Sequence, residues 1–153
     1  MIIPITPKGF VKFQQQLDKL VAEYDETLER VKEALGLGDL KENAEYHAAK
    51  ERQSVLQEQL SKTESLMNQL YVVNPKAFHD RIPKTIEYGA LITLKDLKSG
   101  KEKNHLIVSI YEEEFFNNSL STSSTLGGLL MHKKIGEVVA IEELKYQIVD
   151  IAY

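Results

Sequence analysis

Two carboxylates three residues apart, Asp39 and Glu42, lie in Gly36-Leu37-Gly38-Asp39-Leu40-Lys41-Glu42-Asn43, a turn-like stretch between two long helical patterns. At the start of a helix that spacing puts both side chains on nearly one face, so their oxygens can be presented together. Such a pair can help hold a divalent cation or orient a water. Mg²⁺ takes about six oxygens in octahedral geometry, so two solvated carboxylates make no tight site alone. They can complete one that another protein supplies, steadying a second metal and activating a water for in-line attack on a phosphodiester. A plainer role competes. Asp at an N-cap with Glu three residues later has the form of a capping box, in which each side chain satisfies a free backbone N–H.

The residues around the pair carry less weight. Lys41, Lys50 and Arg52 flank the turn and could meet a phosphate backbone, although charges so placed are usually a solvated face. Tyr46 continues an apolar seam, with its hydroxyl within a turn of Glu42, and His47 beside it is expected to face solvent. Further on, Glu112-Glu113-Glu114 with Phe115-Phe116 reads as an acidic loop beside exposed aromatics, either a partner contact or a charged turn. No Gly-rich phosphate loop or Ser/His/Asp arrangement is present, which argues against a self-contained enzyme. With no Cys, disulfides and thiolate metal sites are excluded, and the four His are scattered singly.

The elements that must position the acids are two long helices. Thr6-Pro7 is a helix start, Thr as N-cap and Pro at the first helical position. Phe10, Phe13, Leu17, Leu20, Tyr24, Thr27, Val31 and Ala34 then alternate spacings of three and four, the seam pattern of a coiled coil, with Val21, Leu28 and Leu35 widening it. Gly36 and Gly38 end this arm. Tyr46, Ala49, Gln53, Leu56, Leu60, Thr63, Met67 and Leu70 repeat the alternation, and two seams joined by a short turn fold back as an antiparallel pair. Arms of about 28 residues make a rod roughly 40 Å long at 1.5 Å per residue, more than stability requires. The polar seam residues Gln53 and Thr63 read as register or solubility features.

Tyr71-Val72-Val73-Asn74-Pro75 is expected to close the second helix, since the proline disfavours helix before it. From Phe78 onward strands are expected at 85–88, 90–94, 106–110, 137–141 and 146–151, with a hairpin turn at Lys98-Ser99-Gly100-Lys101. Ser121-Thr122-Ser123-Ser124 ahead of Thr125-Leu126-Gly127-Gly128-Leu129-Leu130-Met131 reads as a capped short helix covering the sheet. The expected class is α+β: a coiled-coil hairpin with an acidic tip over residues 1–75, then a small domain over 76–153.

Charge narrows the function. The net value of −4 divides into −3 over residues 1–75, from nine Lys/Arg against twelve Asp/Glu, and −1 over the rest, from ten against eleven. Tight duplex binding needs a clustered basic face to release counterions, so contact with nucleic acid should be local or borrowed through a partner. Neither a long apolar run nor a signal-peptide pattern is present, and a cytoplasmic protein is expected.

The stretch Gly38-Asp39-Leu40-Lys41-Glu42-Asn43-Ala44-Glu45-Tyr46-His47-Ala48-Ala49-Lys50-Glu51 resembles the tip signature of the bacterial Gre transcript-cleavage (transcription elongation) factors, closer to the GreA branch than to GreB. The Thr6-Pro7-Lys8-Gly9 start, the arms, the boundary near Pro75 and the tail Tyr146–Tyr153 extend the resemblance over the whole chain. It implies an N-terminal antiparallel coiled coil and a C-terminal FKBP-like domain that docks at the rim of the RNA polymerase secondary channel. The tip acids, here Asp39 and Glu42, would then help hold the second Mg²⁺ of the polymerase active site. The polymerase, not this chain, would cleave the 3′ end of backtracked RNA and so resume synthesis. Lys50 falls where the family often carries a basic residue near the RNA, and Lys41, Tyr46 and Arg52 are the other RNA-proximal candidates. No cofactor of its own is implied, and a monomer is expected because the seam is satisfied internally.

Three departures from the family pattern stand out. Leu35 replaces a frequent basic residue, and Ser124-Thr125 and His132 stand where a Ser-Pro motif and a Gly are common. Two other readings remain at this point: a Gre-like inhibitor that blocks the channel without promoting cleavage, and a coiled-coil adaptor whose tip is only capped. Inhibitory relatives tend to carry extra tip acids, whereas here Lys41 lies between the two.

Overall fold

A computed structural model of the chain describes residues 1–36, 38 and 43–153. In chain order it contains β1 (Ile3–Ile5), α1 (Pro7–Leu35), α2 (Ala44–Met67), β2 (Leu70–Val72), β3 (Leu91–Asp96), β4 (Glu102–Val108), β5 (Ser119–Ser121), α3 (Thr125–Leu130), β6 (Val138–Ile141) and β7 (Leu144–Ala152). By packing, Lys12–Gln69 forms one unit, and Met1–Val11 together with Leu70–Tyr153 forms the other. This division is not the same as the cut in sequence at residue 75, because the first eleven residues pack with the strand-rich unit.

The helical unit is the expected hairpin. Every seam position from Phe10 to Ala34, and from Tyr46 to Met67, is buried or half-buried, while most of the residues between them are exposed. Contacts between the helices recede from the turn in antiparallel order: Asn43 reaches the Ala34 carbonyl at 2.6 Å, and further back Arg52 pairs with Glu23 at 3.0 Å. Of the residues expected to widen the stripe, Leu28 is half-buried but Val21 and Leu35 are exposed, so the seam is narrow. Its threonines need no cross-helix partner. The Thr27 hydroxyl donates to the Glu23 carbonyl and that of Thr63 to the Gln59 carbonyl, one turn back on their own helices.

The second arm is shorter than its sequence pattern implies. It ends at Met67 with Asn68 as C-cap, and Leu70, expected in the seam, belongs to β2. There Leu70–Val72 pairs in parallel with Ile3–Ile5. This tertiary pairing offers Leu70, Tyr71 and Val72 a strand that the proline-based stop signal did not reveal.

In the strand-rich unit a five-stranded sheet has the order β5-β4-β3-β7-β6, antiparallel except for the β4–β5 pair. Its core joins Ile86, Ile92, Leu94, Ile107, Ile148 and Ile151 to Leu130 of α3. Residues 85–88 form no strand: only Thr85 bridges, to Lys134. The segment is held instead by other bonds, such as Glu87 N–H to the Tyr153 hydroxyl at 2.9 Å. The expected strand at 106–110 runs from Glu102 to Val108, because the turn at 98–101 sets the hairpin register from its start. In that turn Asp96 accepts the Lys98 N–H at 2.8 Å, which holds its carboxyl below the usual range, and Gly100 takes φ +73°. The expected short helix is α3, capped by Ser124, whose Oγ accepts the Gly127 N–H at 3.0 Å.

Candidate functional site at the hairpin turn

The turn is built from both helix ends inward. The first arm stops at Leu35, the Gly36 N–H reaches back to the Glu33 carbonyl at 3.1 Å, and Gly38 takes φ +117°, open to a glycine at little steric cost. On the other side Asn43 is the N-cap of α2. Its Oδ1 accepts the Tyr46 N–H at 3.1 Å while its Nδ2 donates to the Ala34 carbonyl at 2.6 Å. One side chain therefore satisfies a free donor at the head of α2 and a free acceptor at the tail of α1.

Asp39, Lys41 and Glu42 fall between Gly38 and Asn43 in the sequence and lie outside the described residues. The capping-box reading of Asp39 and Glu42 lies outside them too; the described head of α2 begins at Ala44, with Asn43 as its N-cap.

The other expected site residues are described. Tyr46 is half-buried in the seam, and its ring meets that of exposed His47 edge-on, with centroids 5.5 Å apart. Lys50 is exposed. Arg52 Nη2 lies 3.0 Å from Glu23 Oε2, with both side chains about half exposed, at 52% and 51%. A pair that open to water is worth at most about 1 kcal/mol, so Arg52 can exchange Glu23 for a phosphate at small cost. Arg30 is likewise paired with Glu26 at 2.8 Å. Between the arms Ala34, Ala48 and Ala49 floor a groove of about 480 Å³, edged by Arg30 and Arg52 but also by Glu33 and Glu45. Leu35, next to Ala34, is exposed. The cationic surface is accordingly thin. Among the described residues no three of His, Cys, Asp and Glu come together as metal ligands.

Sequence reasoning missed the residue that anchors the first arm. Glu112, read as part of an acidic loop beside exposed aromatics, is wholly buried, and Phe115 and Phe116 are half-buried. The Glu112 carboxylate accepts the Thr6 N–H at 3.1 Å, the Thr6 hydroxyl, and the Ser109 hydroxyl at 3.2 Å. Thr6 Oγ1 in turn accepts the Gly9 N–H at 3.1 Å and so caps α1. A buried carboxylate is tolerable there because several donors and a helix N-terminus meet it. Any side chain at Gly9 would collide with it, since a Cβ would lie 2.2 Å from Glu112 Oε1. The available signal was Thr6-Pro7-Lys8-Gly9, whose glycine in a first helical turn has no propensity reason to be there.

Comparison with known proteins places this architecture. The family model for the N-terminal part of GreA/GreB transcription elongation factors matches residues 3–72, and the model for their C-terminal part matches residues 81–153. The chain belongs to the GreA/GreB family of transcription elongation factors. It is 38% identical over 158 residues to transcription elongation factor GreA of Wigglesworthia glossinidia brevipalpis, covering 99% of this chain and 98% of that one. With GreA of Thermodesulfovibrio yellowstonii it shares 31% over 156 residues, covering 99% and 97%. Among solved structures, GreA factor homolog 1 of Thermus thermophilus aligns over 100% of both chains at 18% identity and a TM-score of 0.45.

Ser124 fixes its loop through two bonds, donating to the Ser121 carbonyl at 2.6 Å as well as capping α3. His132 takes the left-handed φ of +65° that a glycine would favour. Its Nδ1 sits 3.1 Å from Glu87 Oε1, a side-chain contact that helps hold this conformation.

Proposed function

We propose that this Gre-family elongation factor acts on RNA polymerase. Its hairpin enters the secondary channel, presents Asp39 and Glu42 at the active site, and stimulates cleavage of the 3′ end of backtracked nascent RNA by the polymerase. One observation carries the reading: the signature's two acids occupy the segment between helices whose ends one side chain, Asn43, ties together. Helix ends tied together in this way suit presentation of short side chains from the segment that joins them.

Two carboxylates fit a shared Mg²⁺ rather than one held by this chain, because the remaining ligands of about six must come from the polymerase. Bound there, the ion would lower the pKa of a water and stabilise charge on the leaving oxygen. The chain's own part is to bring two anionic ligands, Asp39 and Glu42, together to the polymerase. Lys41, Lys50 and Arg52 are the groups placed in sequence to meet RNA phosphates, Arg52 by exchanging its partner Glu23. Tyr46, set in the seam, supports the first turn of α2.

The test is a stalled elongation complex incubated with wild type, Asp39→Asn and Glu42→Gln, following RNA length. Wild type should release short 3′ fragments in Mg²⁺. Each variant should bind polymerase with unchanged helicity yet cleave on the order of 100-fold more slowly, the scale for losing one charge-stabilising group. Undiminished cleavage by both variants would remove the acids from the mechanism. A wild type that binds but never promotes cleavage would make the chain a channel-blocking inhibitor.

A further inference from the structure

A pocket of about 430 Å³ opens within the strand-rich unit, in the size range of small-molecule sites. Its lining comes from stretches that the sequence keeps far apart. Thr6-Pro7-Lys8 contributes where the chain enters α1, and Asn74-Pro75-Lys76 just after β2; the sheet adds Leu106, and Phe116 and Tyr153 complete it.

The walls are apolar and partly flat. Pro7, Pro75, Leu106, Phe116 and Tyr153 bring two saturated rings, one aliphatic chain and two aromatic rings. Such walls suit a flat ring, which can stack or meet them edge-on. The charge is one-sided. No Asp or Glu side chain lines the pocket, whereas Lys8 and Lys76 both do. Both are exposed, and among the described residues neither is in an ion pair. Glu112, bonded to Thr6, is wholly buried and is not part of the lining. In a chain of net charge −4, two ammonium groups at one apolar pocket run against the average.

The walls are also set in advance. The Tyr153 hydroxyl donates to the Thr85 carbonyl at 2.5 Å and accepts the Glu87 N–H at 2.9 Å, which fixes its ring. The Leu106 N–H reaches the Asn118 carbonyl at 3.0 Å, and Asn74 Oδ1 accepts the Lys76 N–H at 3.2 Å. Gly89 lets Pro75 close in, since a Cβ there would lie 2.5 Å from the Pro75 Cγ. A site ordered before binding loses little entropy on contact.

We propose that this pocket binds a small aromatic carboxylate, its ring against Leu106, Phe116 and the prolines and its anionic end at Lys8 and Lys76. A bare inorganic anion would leave the apolar walls wet. A neutral ring would leave both ammonium groups without a counter-charge. The site stands apart from the function proposed above and needs no polymerase.

The experiment titrates the isotopically labelled full chain with three probes, 2-naphthoate, the neutral 2-naphthylmethanol and inorganic phosphate, following backbone amide shifts by NMR. Naphthoate should shift Gly89, Leu106 and Phe116 along one single-site curve, and bind roughly tenfold tighter than either other probe, the scale of one or two charge-assisted hydrogen bonds. Lys8→Gln/Lys76→Gln, in which only exposed side chains change, should reduce naphthoate to the affinity of the alcohol. Phe116→Ala, checked for folding by circular dichroism, should weaken naphthoate and the alcohol alike. At a hundredfold excess over its Kd, naphthoate should raise the unfolding midpoint of the wild type by roughly 5 to 10 °C and that of the lysine variant by much less. Equal affinity for naphthoate and the alcohol overturns the anion site, and equal affinity for naphthoate and phosphate overturns the ring site. Shifts confined to residues outside the pocket, or none at millimolar naphthoate, overturn the proposal as a whole.

Discussion

The hairpin and the strand-rich unit bury their apolar residues on different scales. The sheet and α3 enclose a cluster of nine buried residues, most of them at 0–2% exposure. Along the seam of the hairpin only Phe13, Thr27, Val31, Ala34 and Leu56 are buried among the described residues, and the rest of the seam is half-exposed. A seam one residue wide adds length in proportion to residues spent, whereas a closed core adds stability. One unit is thus built for reach and the other for rigidity.

The strongest test of that contrast is a matched pair of truncations. Ile148→Ala, which opens the closed core, should cost about 2–5 kcal/mol, whereas Leu60→Ala in the open seam should cost about 1–2 kcal/mol because water and neighbours can fill the gap. Urea unfolding of both variants checks this, and equal costs would break the comparison.

At the root of the first arm, Thr6→Val removes the helix cap and a donor to buried Glu112 together. It should cost about 2–3 kcal/mol, with Thr6→Ser close to wild type. Thermal unfolding distinguishes the two, and a silent Thr6→Val would mean that the carboxylate is satisfied without Thr6.

The smallest effect is expected at the turn. Asn43→Ala should cost about 1 kcal/mol by loss of the cap. Asn43→Asp should keep the bond to the Tyr46 N–H but lose the donor to Ala34, and fall between. Amide exchange at Tyr46 would resolve the two contributions.

These sites also show what could be read from sequence. The arms were legible because a heptad pattern is local and the burial of its positions needs only one neighbouring helix, so Phe13, Val31, Ala34 and Leu56 fall where the spacing puts them. Leu70 was misplaced because its seam spacing continues unbroken, and only the distant pairing with Ile3 converts it to strand. Asn43 as the cap of α2 was not singled out, because Asn and Asp are nearly equal caps and the sequence offers both within five residues. Glu112 was hidden most completely. Its partners Thr6 and Gly9 are over a hundred positions away, and three consecutive glutamates look alike until burial separates one of them. The acids Asp39 and Glu42 were singled out in the sequence by type and isolation alone.

The parallel pairing of β1 with β2 has a consequence for how the chain tolerates change. Ile3 lies opposite Leu70 and Ile5 opposite Val72, so the polypeptide departs into the hairpin and comes back through neighbouring strands. Topologically the arms are a cassette plugged into a host fold. Deleting or inserting seven residues at facing positions of both helices would leave the socket's register and every bond at Glu112 untouched. Arm length is then a dial that can be turned without re-engineering the host.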